Sequence, residues 1–123
     1  MEIISTKNAP AAIGPYSQAI VSGNLVYTSG QIPNNPASGN IESTDISSQT
    51  EQVIKNLRAV LDAAGSSLDK VIKTTCFLQH IQDFATFNSV YEKYFTLKPA
   101  RSCVEVAALP KGALIEIELV AEV

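Results

Sequence analysis

The 123 residues predict a single α+β domain, residues 1–123, with two helices packed on one face of a mixed sheet. Three observations carry that prediction: two segments have helical apolar spacing, five have strand character, and the two types alternate along the chain. The order reads β-β-α-β-α-β-β. A chain this size buries roughly two thirds of the surface its unfolded state exposes, enough for a core without disulfides or metal.

Ile3 to Ser5 is a short extended lead-in. Ala9 to Tyr16 then place two prolines and a glycine in eight residues, which gives a shaped loop and no regular element. Ala19–Ser22 and Leu25–Ser29 flank Gly23-Asn24, a two-residue turn signal that makes them an antiparallel hairpin. Gln31 to Asn40, with Pro33, Pro36 and Gly39, form a second irregular stretch. From Asp45 to Ala64 the apolar residues fall at 46, 53, 54, 57, 60, 61 and 64, while Glu51, Lys55, Arg58 and Asp62 take the other face. Asp45 suits an N-cap and Gly65 a C-terminal stop.

Leu68 to Gln79 reads as a strand rich in β-branched residues, among them Val71, Ile72, Thr74 and Thr75. Asp83 to Phe95 is the second helix, with Phe84, Phe87, Tyr91, Tyr94 and Phe95 at helical spacing. Ala100–Ala107 and Leu114–Val123 are two further strands, and the short link Leu109–Ala113 makes them a closing hairpin. The strands carry apolar residues on both sides, as in Leu25-Val26-Tyr27. The face away from the helices therefore shows apolar surface that a symmetric homo-oligomer would cover, with ligand pockets at the subunit junctions.

Composition narrows the chemistry. One histidine, His80, excludes a His-rich zinc site and leaves no partner set for a Ser-His-Asp triad; His80 itself reads as a surface residue. Cys76 and Cys103 are too far apart in sequence for a CxxC half-site, and the six scattered glycines draw no phosphate or dinucleotide loop. Nine basic against twelve acidic residues, with no basic run, disfavour nucleic-acid binding. No stretch suits a membrane span, and two cysteines without a signal peptide make the cytoplasm the expected compartment. The expected chemistry, if any, uses carboxylates, hydroxyls, Arg, a thiol and backbone amides, without a nucleotide cofactor or a tightly held metal.

Several residues resist a purely structural reading. Asn88 lies on the apolar stripe of the second helix, where an unpartnered amide would cost about 1–3 kcal/mol. It either ties to a neighbouring loop or serves a ligand. Arg101, Cys103 and Glu105 share one strand face by the period of two. Arg101 follows Pro99-Ala100 and has a planar fork suited to a carboxylate, or else pairs an acid at a surface. Cys103 has no basic neighbour in sequence and reads first as packing; Cys76 reads as core. Glu116 and Glu118 face one side of the last strand, either solvated or with one acting as a general base. If the closing hairpin forms, these acids come within reach of the Arg101 strand.

Taken together, APAAIGPYSQA (Ala9–Ala19), TSGQIP (Thr28–Pro33), PARSCVEVA (Pro99–Ala107), LPK (Leu109–Lys111) and IEIE (Ile115–Glu118) resemble the reactive intermediate deaminase A family, also called RidA, YjgF or L-PSP. The resemblance runs the whole chain in matching order. It implies a chorismate-mutase-like subunit assembled as a homotrimer with clefts between subunits. It also implies cofactor-free hydrolysis of 2-imino acids, such as 2-iminobutanoate and 2-iminopropanoate, to 2-oxo acids and ammonia. By matching motif, Arg101 would bind the substrate carboxylate, Cys103 would offer its backbone N–H, and Glu116 would activate water. Tyr16 and Ser29 would close the pocket from the two shaped loops, and Asn88 would stand near the cleft.

Two positions depart from the family pattern: the link Thr96–Pro99 is short, and Ala108 stands where an Arg often precedes LPK. Both bear on substrate range and interface. The rival readings are a ribonuclease or translation inhibitor, and a non-catalytic module that binds small carboxylates or acts like a chaperone.

Overall fold

The computed structural model describes residues 1–123. Six strands and two α-helices follow in the order β1 (Glu2–Ile4), β2 (Ala19–Ser22), β3 (Leu25–Thr28), α1 (Ile46–Ala63), β4 (Val71–Leu78), α2 (Phe84–Tyr94), β5 (Ala100–Glu105) and β6 (Ile115–Glu122). The α+β expectation holds, with one element more than the sequence order gave. The lead-in at Ile3 pairs with β2 as an edge strand, with Ile3 opposite Ile20.

Local chemistry sets the element ends. The Asp45 carboxylate accepts from the Ser48 N–H at 2.9 Å and caps α1. Gly65 at φ +78° ends the same helix, and the Ser66 N–H turns back to the Leu61 carbonyl at 2.9 Å. Gly23 takes φ +62° at the first position of the β2–β3 turn, where a side chain would be strained.

The sheet runs β1-β2-β3-β6-β4-β5 and is mixed, with β4 and β5 parallel and every other neighbouring pair antiparallel. This corrects the closing hairpin expected from the sequence. The last two strands are not neighbours: β4 lies between them, with Thr74 beside Arg101 on one side and Leu119 on the other. The helix α2 carries the chain from β4 to its parallel neighbour, which uses one side of β4, and β6 takes the other side and bridges to β3. Burial decides this placement. In the central position β6 buries Ile115, Ile117, Leu119 and Ala121 against α1 and α2, as an edge position could not.

Val53, Ile54, Leu57, Val60 and Leu61 of α1 and Phe87 of α2 meet Val26, Cys76, Leu78 and the inward residues of β6 in one continuous core. The opposite sheet face carries no helix. Ile3, Tyr27 and Val104 stand exposed on it, and Phe77 and Val120 are partly exposed. No helix is long and apolar enough to cross a membrane.

Candidate active site

Helix α2 presents Phe84, Phe87, Asn88 and Tyr91 along one side, toward β5. Arg101, level with buried Thr74, points into that row. Its guanidinium lies 4.8 Å from the centroid of the Tyr91 ring, 5.5 Å from Phe84 and 5.7 Å from Phe87. Its Nη1 donates to Asn88 Oδ1 at 2.7 Å. Asn88 thus ties to a strand side chain, where the sequence left a loop or a ligand as its partner. The Tyr91 hydroxyl is fixed in turn on Thr74 Oγ1 at 2.7 Å. No carboxylate pairs with Arg101, since the protein's ion pair joins Lys93 to Glu51. A half-buried, oriented and uncompensated guanidinium has the charge and the free donors to hold an anion.

Cys103 follows on the same face, beside Cys76 of β4. Both thiols are free. Burial pushes Cys76 up to about 12 and raises Cys103 as well, against the opposing influence of Arg101, so neither is a thiolate nucleophile near neutral pH. The Cys103 backbone is better placed. The Val106 N–H donates to the Leu78 carbonyl across the parallel pair at 2.9 Å. By the period of two, the N–H groups of Ser102 and Val104 turn to β4, and those of Arg101 and Cys103 face the open edge of the sheet.

Glu116 lies on the other face. Ile115 and Ile117 point into the core, so Glu116 and Glu118 both point to the helix-free side, as their alternation predicts. The Glu116 carboxylate occupies the space a Cβ on Gly30 would fill. Burial raises its pKa above the ordinary glutamate value, and the nearby Glu118 charge adds to that rise. Gly30 also lines a cavity of about 270 Å³ shared with Tyr16, which is 52% exposed. The Ser29 hydroxyl donates to the Ser17 carbonyl, so it pins the loop that carries Tyr16.

The site residues therefore fall into two groups. Arg101, Asn88 and Cys103 gather on the helix side at the β5 edge; Glu116, Tyr16 and Ser29 gather around Gly30 at the other side. The hairpin that would have brought the acids to Arg101 does not exist. The two strands lie two places apart in the sheet, roughly 10 Å by ordinary strand spacing, and the side chains diverge to opposite faces.

The sequence reading missed the amides that shape the loops. Gln18 bonds the N–H of Thr6 and the carbonyls of Thr6, Ala9 and Pro10. Asn56 donates to the carbonyls of Ile32 and Asn34, and Gln49 joins Ser43 to Leu114. The available signal was an amide on an apolar stripe, as Asn56 sits between Val53 and Val60. No group of three or more His, Cys, Asp or Glu side chains forms a metal-holding cluster.

The model of the family described as Endoribonuclease L-PSP matches residues 6–123. The chain belongs to the L-PSP family, also called RidA or YjgF. A Lactococcus lactis protein bearing the regulator name AldR is 57% identical, with 100% of this chain and 98% of that protein covered. The 2-iminobutanoate/2-iminopropanoate deaminase of Escherichia coli K12 is 50% identical over 96% of this chain and 94% of its own. The crystal structure of Escherichia coli TdcF with bound serine superposes with a TM-score of 0.95 at 44% identity, covering 100% of this chain and 99% of that one. L-PSP relatives thus carry deaminase, regulator and endoribonuclease names on one fold.

Proposed function

We propose that this protein is a cofactor-free hydrolytic deaminase that converts small 2-imino acids, 2-iminobutanoate and 2-iminopropanoate among them, to 2-oxo acids and ammonia. The observation that carries the reading is the uncompensated Arg101 guanidinium, held by Asn88 and three aromatic rings at an open strand edge. The deaminase name of a relative 50% identical over nearly its whole length supports it.

The working unit is a homotrimer with a cleft between neighbouring subunits. Arg101 and Glu116 lie on opposite faces of one sheet, so they serve one substrate only when two copies meet. The helix-free face, with Tyr27, Val104 and Ile3 exposed, supplies the apolar surface for that contact.

In the cleft, the Arg101 fork binds the substrate carboxylate, and the outward Cys103 N–H adds a donor beside it. Glu116, whose raised pKa suits proton transfer, takes a proton from a water while the water oxygen bonds to the imine carbon. Tyr16 and the lone pairs of Ser29 orient that water or the ligand. Glu116 passes that proton to the carbinolamine nitrogen, the C–N bond breaks to release ammonia, and the carbinolamine hydroxyl gives its proton to the Glu116 carboxylate as its oxygen becomes the carbonyl of the 2-oxo acid. Imines hydrolyse readily in water, so positioning and one general base are sufficient.

The test generates 2-iminobutanoate with threonine dehydratase and follows its decay by semicarbazone trapping. The expected result is acceleration by the protein that Arg101→Ala abolishes. No acceleration, or full acceleration by Arg101→Ala, rejects the reading; RNA cleavage lost in the same variant would replace it with the family's ribonuclease name.

A further inference from the structure

Five side-chain amides are buried: Gln18, Gln31, Asn34, Gln49 and Asn56. Gln18 and Gln49 spend their hydrogen-bonding groups on backbone, and Asn56 donates to two carbonyls while its oxygen accepts from the Gln52 amide at 2.9 Å. The other two do not. Gln31 and Asn34 are 5% and 8% exposed. Asn34 Oδ1 is the one buried side-chain polar atom without a partner, and beside it the Gln31 side chain makes no hydrogen bond within the protein. Both residues line the same cavity of about 270 Å³, next to Gly30 and hence next to the Glu116 carboxylate. Buried polar groups are nearly always satisfied, so an unpaired Asn34 oxygen beside the unbonded Gln31 amide in one cavity marks where a polar ligand group belongs.

The cavity is built to keep its shape. Asn56 holds the Ile32 and Asn34 carbonyls at 3.1 and 2.9 Å, and Gln18 holds the Pro10 carbonyl at 2.8 Å on the facing loop. Lys111, strained at φ +57°, ties its ammonium to the Gly39 carbonyl at 2.8 Å and closes the third side. Ile13, Ile32 and Pro110 supply the apolar walls. The volume suits a chain of a few atoms ending in one polar group.

We infer that this cavity receives the substrate's side chain and selects 2-imino acids whose side chain ends in an uncharged group that both donates and accepts hydrogen bonds, a carboxamide above all. This rests on the deaminase reading of the same site. A carboxamide matches two carboxamides in both senses. A side-chain carboxylate only accepts and cannot donate to the unpaired Asn34 oxygen, and an alkyl end leaves that oxygen unpaired as well. A site that hydrogen-bonds a substrate group discriminates strongly against the analogue lacking it.

The experiment compares the imines of asparagine and leucine, which share shape and differ in that end group. A flavin L-amino-acid oxidase with catalase produces each imine, and semicarbazide trapping gives kcat/KM. The expected ratio favours the asparagine imine at least about tenfold, and Gln31→Met or Asn34→Leu reverses it. Preference of the wild-type protein for the leucine imine, or a ratio unmoved in both folded variants, overturns the inference. So does a change of oligomeric mass with no change of ratio, because the amides would then serve a neighbouring subunit. Acceleration of 2-iminobutanoate but of neither of these imines overturns the inference and leaves the deaminase reading standing; if 2-iminobutanoate is not accelerated either, the deaminase reading fails by itself, and calorimetry decides the cavity. Tighter binding of 2-oxosuccinamate than of 4-methyl-2-oxopentanoate upholds it, and equal or weaker binding refutes it.

Discussion

Asn88 accepts a 2.7 Å hydrogen bond from Arg101, and in doing so fixes the one half-buried guanidinium that no acid neutralises. An amide can orient the fork without competing for its charge, as a carboxylate at that place would. Asn88→Ala should therefore raise KM for a 2-imino acid about tenfold with a smaller change in kcat, the loss of one charge-assisted bond of about 1.5–3 kcal/mol being partly offset by water. Steady-state kinetics separates the two constants. A fall in kcat with KM unchanged would contradict the positioning role.

If the catalytic groups come from two subunits, inactive variants should complement each other. Arg101→Ala and Glu116→Ala, unfolded together and refolded at equal amounts, should recover about one quarter of wild-type activity, because one site in four then pairs an intact Arg101 with an intact Glu116. A site contained within one chain would recover none.

The raised pKa of Glu116 fixes a pH dependence. A general base must be ionised, so kcat/KM should rise with pH along an acid limb centred above the ordinary glutamate value. Glu118→Gln removes the neighbouring charge and should shift that limb down. Stability moves the other way. The folded state holds the Glu116 proton more tightly than the unfolded chain, so this group's contribution falls as pH rises from the unfolded to the folded pKa. Glu116→Gln should then unfold at least as high as wild type at pH 7 in a thermal melt, while losing turnover.

Gly30→Ala places a methyl group where the Glu116 carboxylate lies. Gly30 is not among the glycines at positive φ, so the cost is space and not backbone strain. Activity should drop about a hundredfold, as for a catalytic group displaced by roughly 1 Å. Circular dichroism should show a retained fold.

Asn56→Leu strips the buried Asn34 carbonyl of its donor and takes one of two donors from the Ile32 carbonyl, which still accepts from the Asn34 N–H at 2.8 Å. The expected destabilisation is about 1–3 kcal/mol, read from denaturant melts. Its kinetic effect should fall on substrates that use the cavity formed by that loop.

Much of this was legible along the chain. The stripe from Ile46 to Leu61 fixed α1, Asp45 and Gly65 marked its ends, and the period of two placed Arg101 with Cys103 and Glu116 with Glu118. The recurring strings from Ala9 to Glu118 carried the family. These are local or pattern properties, set by residues a few places apart, and hydrophobic burial acts on them in the same way whatever the rest of the chain does.

The tertiary structure decided what no local pattern encodes. A period of two says which residues share a face, and not which strand lies alongside. The Leu109–Ala113 link permits a hairpin, yet β6 gains more by burying Ile115, Ile117 and Leu119 between β3 and β4, leaving β5 as an edge. That choice sends Arg101 and Glu116 to opposite faces of the sheet, so one chain does not bring the two side chains together. Likewise, nothing in the letters separates Gln18, Gln49 and Asn56, which close loops, from Gln31 and Asn34, which stay open toward a cavity. Partnership between buried amides is settled only when segments distant in sequence pack together, because an amide's free energy depends on what it meets once water is gone.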